Sequence, residues 1–521
     1  MTPAPDDPIS RSRPDGVASD GVALDGVALD GVALDGVGID FGTSNSLAAI
    51  HHTLPGPAAP TGPGPGEGHA RSDARTDMVP LEATTPVMPT ATYMDRAFQT
   101  RTGEAAIIQY IEDNRGRTVE LVPEVLGEAS MLVGDSAPDS RAAPEVETHK
   151  VYGPALEDHG LPGRLFRGLK RLLGDPETRR LMVFGKPYRL VALTTPILLR
   201  MRGEIERERA RLGLPAQIPR LRIGHPVLFE GRDPQRNRTA FTRLEEACGY
   251  AGLKNVVFYP EPVAATLSWR QEAGAEHRGT ALTVDFGGGT LDLALLRFDG
   301  EATRILATDG EALGGDHIDQ RMFRELLFPL LGKGERWTRR GDERVIDTLF
   351  PFEQYEDALL NWTVGYTLNQ NRYRAPVMEC MRLPGAAGEK FRRLFELITR
   401  NQGYVVFQAL RDAKARLSES EQTVIDLPDL DIELTLTRER FETLIADMLE
   451  RLDAAVLRTL QKAGLEAAAV DVVVRTGGSS LIPAVRGVLE ARFPGRVVDH
   501  DPFTSVADGL AIAAARDLRF H

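Results

Sequence analysis

Two stretches of this 521-residue chain repeat one arrangement of residues that can do chemistry. In residues 38–46, GIDFGTSNS, an apolar run reaches a carboxylate, Asp40, and passes through Gly42 into Thr43, Ser44 and Asn45. In residues 284–292, VDFGGGTLD, Asp285 ends the apolar run, Gly287, Gly288 and Gly289 make the turn, and Thr290 supplies a hydroxyl. Glycine lets a backbone approach an anion closely, and successive amide hydrogens and hydroxyls can donate to phosphate oxygens. The residue types therefore predict phosphate-binding turns, with Asp40 facing a metal ion. Either stretch alone also fits an ordinary glycine-turn hairpin. Two copies shift the balance to phosphate and imply two related lobes.

Such loops need strands before and after them, and the hydrophobic pattern supplies these. Apolar residues around Val37 and Ile39 open the first folded strand, and residues 281–298 read as a strand pair broken at the three glycines. Between them the sequence predicts a helix over 196–211, a strand over 221–225, a helix over 233–251 and a strand over 256–259. Beyond them it predicts a largely helical stretch over 319–417, a strand near 431–436, a helix over 438–463 and a strand over 470–475. Alternation of this kind is α/β. Residues 52–69, crowded with Pro and Gly, predict a surface loop. Ahead of the fold, DGVAL occurs three times unchanged over residues 20–34, with degraded copies on both sides. So short a repeat cannot bury a core, and residues 1–36 read as a disordered tail.

The length suggests three to four compact units at about 150 residues each, with a cleft between lobes. A hydrophobic content of 42% and a charged content of 26% are ordinary for a globular chain, and no apolar run is long enough to span a bilayer. The formal net charge of -13 argues against nucleic acid and anionic lipid as partners. Cys248 and Cys380 are the only cysteines, which excludes a disulfide framework and a zinc cluster. No basic segment followed by an apolar core opens the chain, so the expected location is cytoplasmic.

Both glycine loops match the two phosphate motifs of the DnaK-type heat-shock chaperones almost letter for letter, and other segments keep that family's order. YPEPVAA at 259–265 resembles its first connecting segment, and GGSSLIP at 477–483 its adenosine loop. LFRGLKRLLG at 165–174, LGGDHID at 313–319 and LRDAKARLS at 410–418 match as well. The chain most resembles the YegD-like chaperone homologues, with a long helical insertion between Asp319 and Leu410 and a stop at His521. The resemblance implies an α/β actin-like ATPase (ribonuclease H-like) fold, with lobes at 37–270 and 271–521 around a nucleotide cleft. The helical insertion, 320–409, falls in the second lobe, and no peptide-binding domain is expected.

The same resemblance implies ATP and Mg2+ as cofactors. Asp40 and Asp285 would hold the metal, largely through water, while Lys170, Glu261 and Asp292 would serve catalysis. Lys170 would offset charge developing at the γ-phosphate. One extra residue between Phe166 and Lys170 keeps Arg171 as its alternative. Nucleotide contacts are implied for Gly42, Thr43, Ser44, Asn45, Gly287, Gly288, Gly289, Thr290, Gly314, Gly315, Lys414, Ser418, Gly477, Gly478 and Ser479. Arg411, Leu481 and Phe503 depart from the family pattern on the adenosine side, which implies weaker or less base-selective binding. Pro226 and Arg236 match a relay to a peptide-binding domain; an ordinary strand end and a surface ion pair explain them equally well. The expected function is a slow ATPase of chaperone type whose lobes open and close with nucleotide. The alternatives are a noncatalytic scaffold that meets a protein partner at the insertion, and a small-molecule kinase of the same fold.

Overall fold

The computed structural model describes residues 22–24, 35–53, 74–133, 145–158, 160–227, 229, 234–274, 278–299, 302–340 and 345–518. In chain order the strands that build the two principal sheets begin with β1 (Val22–Leu24), β2 (Asp35–Phe41), β3 (Asn45–Thr53), β4 (Ala74–Met78), β5 (Leu221–His225) and β6 (Val256–Pro260). They continue with β7 (Gly279–Phe286), β8 (Leu291–Asp299), β9 (Ala302–Glu311), β10 (Val472–Thr476) and β11 (Val497–Asp499). One sheet runs β6-β5-β2-β3-β4 and the other β1-β9-β8-β7-β10-β11.

The two sheets share a plan. β2 pairs antiparallel with β3 so that Phe41 faces Ser46, and β7 pairs antiparallel with β8 so that Phe286 faces Leu291. Each glycine loop is thus the turn of a hairpin, and Asp40 and Asp285 occupy corresponding places one residue before the strand ends. On the other side β2 gains β5 and β7 gains β10, both in parallel. Strands enclosed this way must be apolar on both faces, which is what VGI and ALTV provide.

Six helices position the functional loops: α1 (Leu169–Leu172), α2 (Leu190–Arg211), α3 (Glu261–Ala273), α4 (Gly315–Met322), α5 (Gly403–Glu419) and α6 (Ser505–Ala515). α3 and α6 tie the sheets together. Val263, Ala264, Leu510 and Ala513 share one buried cluster with Ala281, Ala294 and Val474 of the second sheet. A Cβ on Gly509 would lie 1.8 Å from the Ala264 carbonyl oxygen, and one on Gly38 of β2 would lie 2.4 Å from the Ala507 oxygen. Only residues without a side chain allow these helices to approach so closely. α6 lies against the first sheet although it comes from the second half of the chain.

Several other expectations change in extent. α2 begins at Leu190, with Pro196 inside it, and the helix expected over 438–463 breaks into Arg438–Leu444 and Ala446–Ala463. His52 and Thr53 continue β3, while the remainder of the expected Pro/Gly loop, 54–69, lies outside the described residues. Within the tail, residues 22–24 pair with β9 as an edge strand because an exposed sheet edge can bind any short apolar segment. The rest of the tail up to residue 34 lies outside the described residues.

The insertion is not purely helical. It contains an antiparallel hairpin, Arg336–Arg340 with Val345–Leu349. Its helices share the second lobe's core, with Phe323, Phe328, Phe350 and Phe391 in the same cluster as Leu282 and Leu293. That cluster also takes in Tyr110 of the first lobe, whose hydroxyl donates to the carbonyls of Trp362 and Thr363 at 3.1 and 3.0 Å. Asn369 completes the bridge by donating to the Arg117 carbonyl at 2.7 Å. The insertion therefore clasps the first lobe. Tyr110→Phe removes the one hydrogen that the two carbonyls share while keeping the ring in place, so a stability loss of about 1–3 kcal/mol is expected in chemical denaturation. A variant as stable as the parent would show that the clasp contributes nothing.

Candidate nucleotide site

The two hairpin turns, α1, the start of α3, α4, α5 and the turn after β10 converge on one cleft of about 530 Å³. Its lining includes Asp40, Gly42, Thr43, Ser44, Asn45, Lys170, Glu261 and Asp285, then Gly287 to Thr290, Gly315, Lys414, Ser418, Gly477, Gly478 and Ser479. Residues scattered over more than 400 positions thus line one space. Two predicted residues stand just behind the lining. Asp292 accepts a hydrogen bond from the Val227 amide at 2.8 Å, and Gly314 packs so tightly that a Cβ would lie 2.4 Å from the Gly288 oxygen.

Glycine is required here by close approach rather than by flexibility alone. A Cβ on Gly42 would lie 2.2 Å from the Asn45 oxygen. Gly477, at φ +82, brings the third loop so near the second that a Cβ would lie 2.5 Å from Asp285 Oδ1. The second loop's carbonyls are occupied: the Gly315 amide and the Ser479 hydroxyl donate to the Gly287 oxygen at 3.1 and 3.0 Å, and the Asp316 amide donates to Gly288 at 2.8 Å. The second loop, the start of α4 and the turn after β10 are one hydrogen-bonded unit.

The floor of the cleft is acidic. Burial, reinforced by Glu261, pushes the Asp40 carboxyl up to about 7 against the pull of Lys170. Asp292 is pushed up to about 7 by burial and Glu261, and Asp285 is raised well above the usual carboxylate range by burial and its three acidic neighbours. Lys170, buried, donates to Glu261 at 2.5 Å. Burial disfavours its charge, but Glu261 and Asp40 outweigh this, and its pKa is raised. One ammonium cannot balance four carboxyl groups all ionised, so a cation joining the floor would favour release of their protons.

Among the described residues no three His, Cys, Asp or Glu side chains converge at direct metal-ligand spacing. That suits magnesium, which is commonly held by one or two carboxylates together with water and phosphate oxygens. Asp40 and Asp285 could supply those carboxylates.

Arg171, the alternative to Lys170, also lies at the second loop, where a Cβ on Gly289 would come within 2.9 Å of its Nη2; it pairs with Asp316 at 3.3 Å, and Asp316 also accepts from the Ser44 hydroxyl at 3.2 Å. Lys414 is engaged by Asp319 at 2.5 Å and by the Gly315 carbonyl at 3.2 Å, while the Ser418 hydroxyl turns back to the Lys414 carbonyl. Leu481, Ile482, Pro502, Phe503 and Val506 form an apolar end to the cleft, with Phe503 57% exposed. Arg236 lies 3.9 Å from Asp175, in keeping with a surface ion pair.

A family model described as Hsp70 protein matches residues 182–349 and 402–516, more than half of the chain. The chain belongs to the Hsp70 family. The interval between the matched segments falls within the insertion and holds the helices Glu353–Leu360, Asn371–Cys380 and Ala386–Thr399. Similar Hsp70 relatives include the heat shock 70 kDa protein BIP3 of Oryza sativa subsp. japonica, 27% identical over 403 residues, covering 70% of this chain and 49% of that protein. The chaperone protein DnaK of Deinococcus proteolyticus is 26% identical over 351 residues, covering 64% of this chain and 44% of the relative. The chain spans about half the length of the curated relatives it matches. Hsp70 membership carries the actin-like ATPase fold, and the paired hairpin turns of the two sheets are its expression here. Among the described residues no helix is long and apolar enough to cross a membrane.

Proposed function

We propose that this Hsp70-family chain binds ATP with Mg2+ in the cleft, hydrolyses it slowly, and uses the resulting lobe movement in a chaperone role. The observation that carries the reading is the convergence of two phosphate-type turns on a buried lysine surrounded by Asp40, Glu261, Asp285 and Asp292. When bound, Mg2+ would neutralise the phosphate oxygens and fix their position. Glu261 and Asp292 would orient the attacking water, and Lys170 would offset the charge that accumulates as the γ-phosphate departs. Thr43, Ser44, Asn45 and Thr290 would donate to phosphate oxygens, and Gly477 to Ser479 would border the adenosine. At the apolar end, Leu481 and Phe503 would hold the base by packing and stacking, which discriminates poorly among bases. The insertion supports a place near the YegD-like branch.

Calorimetry with Mg-ATP and Mg-GTP on the parent and on Asp285→Asn, with phosphate release followed in the same samples, tests the reading. Saturable binding, turnover lost in the variant and a modest ATP-to-GTP difference are expected. Absence of binding at millimolar nucleotide would leave only the inherited fold. A noncatalytic scaffold is the second reading, favoured by the clasp between Tyr110 and the insertion, which restrains lobe opening. Binding without any turnover above Lys170→Ala would select it.

A further inference from the structure

Beside the nucleotide cleft lies a second cavity of about 330 Å³, walled by α1 and the segment before it on one side and by Leu360 to Thr363 of the insertion on the other. Thr43, Ser44, Asp316, Asp319 and Arg411 line both spaces, so the cavity opens beside the phosphate loops. Three guanidiniums, of Arg167, Arg171 and Arg411, border it. Its two carboxylates are already engaged, Asp316 by Arg171 at 3.3 Å and Asp319 by Lys414 at 2.5 Å. Arg167 and Arg411 have no such partner among the described residues. Their Nε atoms are enclosed without a hydrogen bond, and the guanidiniums lie instead over ring faces, Arg167 over Trp362 at 5.1 Å and Arg411 over Tyr404 at 5.9 Å. Burial, opposed by Asp316 and reinforced by Arg411, holds the Arg167 guanidinium below its usual value.

Enclosed guanidinium donors without acceptors are costly in a folded chain, and the forked donor geometry of arginine suits planar carboxylate and phosphate groups. The volume is that of a small-molecule pocket. We propose that this cavity binds a small carboxylate- or phosphate-bearing molecule, separate from the nucleotide, between Arg167 and Arg411. Because Thr43 and Ser44 belong to both spaces, its affinity and that of the nucleotide are coupled in both directions. The proposal stands whether or not the cleft hydrolyses ATP.

The full chain is titrated with inorganic phosphate and, separately, with malonate, followed by calorimetry and thermal shift, with and without saturating Mg-ADP. Saturable binding of at least one anion in the presence of Mg-ADP is expected, and the preferred probe identifies the head group. Arg167→Met and Arg411→Met are each expected to weaken that binding at least about tenfold, while the anion-free melting temperature holds or rises because an uncompensated charge has been removed. A purely structural stacking role would lower the anion-free melting temperature and leave anion affinity unchanged, which overturns the proposal. Absence of binding by either anion, or displacement of the bound anion by ATP but not ADP, overturns it as well; the latter would make the cavity part of the γ-phosphate site.

Discussion

Lys170→Met is expected to lower phosphate release at least about a hundredfold and to destabilise the metal-free protein by about 3–5 kcal/mol, the cost typical of removing one partner of a buried ion pair. Among the described residues the Lys170 ammonium is the one cation in direct contact with a floor that holds Asp40, Glu261, Asp285 and Asp292, and its side chain is only 5% exposed. Methionine fills similar space, so packing is largely preserved and the loss reports charge. Glu261 would lose its ion-pair partner at 2.5 Å and remain buried. Added Mg2+ with nucleotide should recover part of the stability, because a cation returns to the floor, but not the turnover, because the positive charge directed at the γ-phosphate is gone. Denaturant titration in EDTA and in Mg-ADP, beside single-turnover kinetics, separates the two effects. Equal stability of parent and variant in EDTA would show that Lys170 is a solvated helix residue and that the acidic floor is neutralised some other way.

The site was more legible in the sequence than the framework around it. Such turns are local: a strand, a carboxylate and a run of small residues are contiguous, so GIDFGTSNS and VDFGGGTLD disclose both hairpins and set Asp40 and Asp285 at their strand ends. The strand 221–225 was equally plain, because a five-residue buried run has few alternatives. Pairings across hundreds of residues were not. Nothing near Tyr110 announces that its hydroxyl meets the carbonyls of Trp362 and Thr363, 252 and 253 residues away. α6 carries a signal of its own: apart from Asp508, SVADGLAIAAA is made of apolar and small residues, the mark of a helix buried between layers rather than on a surface. Pro196 misled because proline favours the first helical turn, whereas here the chain has already turned through Leu190 to Thr195. Arg411 was legible as a departure from the family pattern. Its meaning required the insertion, since the cavity it borders exists only where Leu360 to Thr363 close over α1.

Magnesium-dependent nucleotide affinity is expected to fall about a hundredfold between pH 8 and pH 6. Asp40 and Asp292 both titrate near 7 in the folded protein, and Asp285 higher than its usual range, chiefly because burial disfavours their charge. Each carboxyl near 7 that must release its proton for the cation to bind costs up to about tenfold in affinity per pH unit below that value. Stability of the metal-free protein should run in the opposite sense. These groups bind protons more tightly folded than unfolded, so their contribution is fully present below about 4 and is lost as pH rises through about 7. His225, held neutral by burial with its pKa lowered to about 4, pulls the other way, its contribution being lost as pH falls from 6.5 toward 4. His51, also lowered to about 4 by burial, does the same from the far side of β3. The difference between melting temperatures in Mg-ADP and in EDTA largely removes the histidine contributions, which occur in both states. That difference should widen steadily from pH 5.5 to pH 8. Asp40→Asn should flatten it, since one of the two protons near pH 7 is no longer exchanged for the cation. A difference independent of pH would mean that the acidic floor is already ionised before magnesium arrives, and that Lys170 alone holds the four carboxylates together.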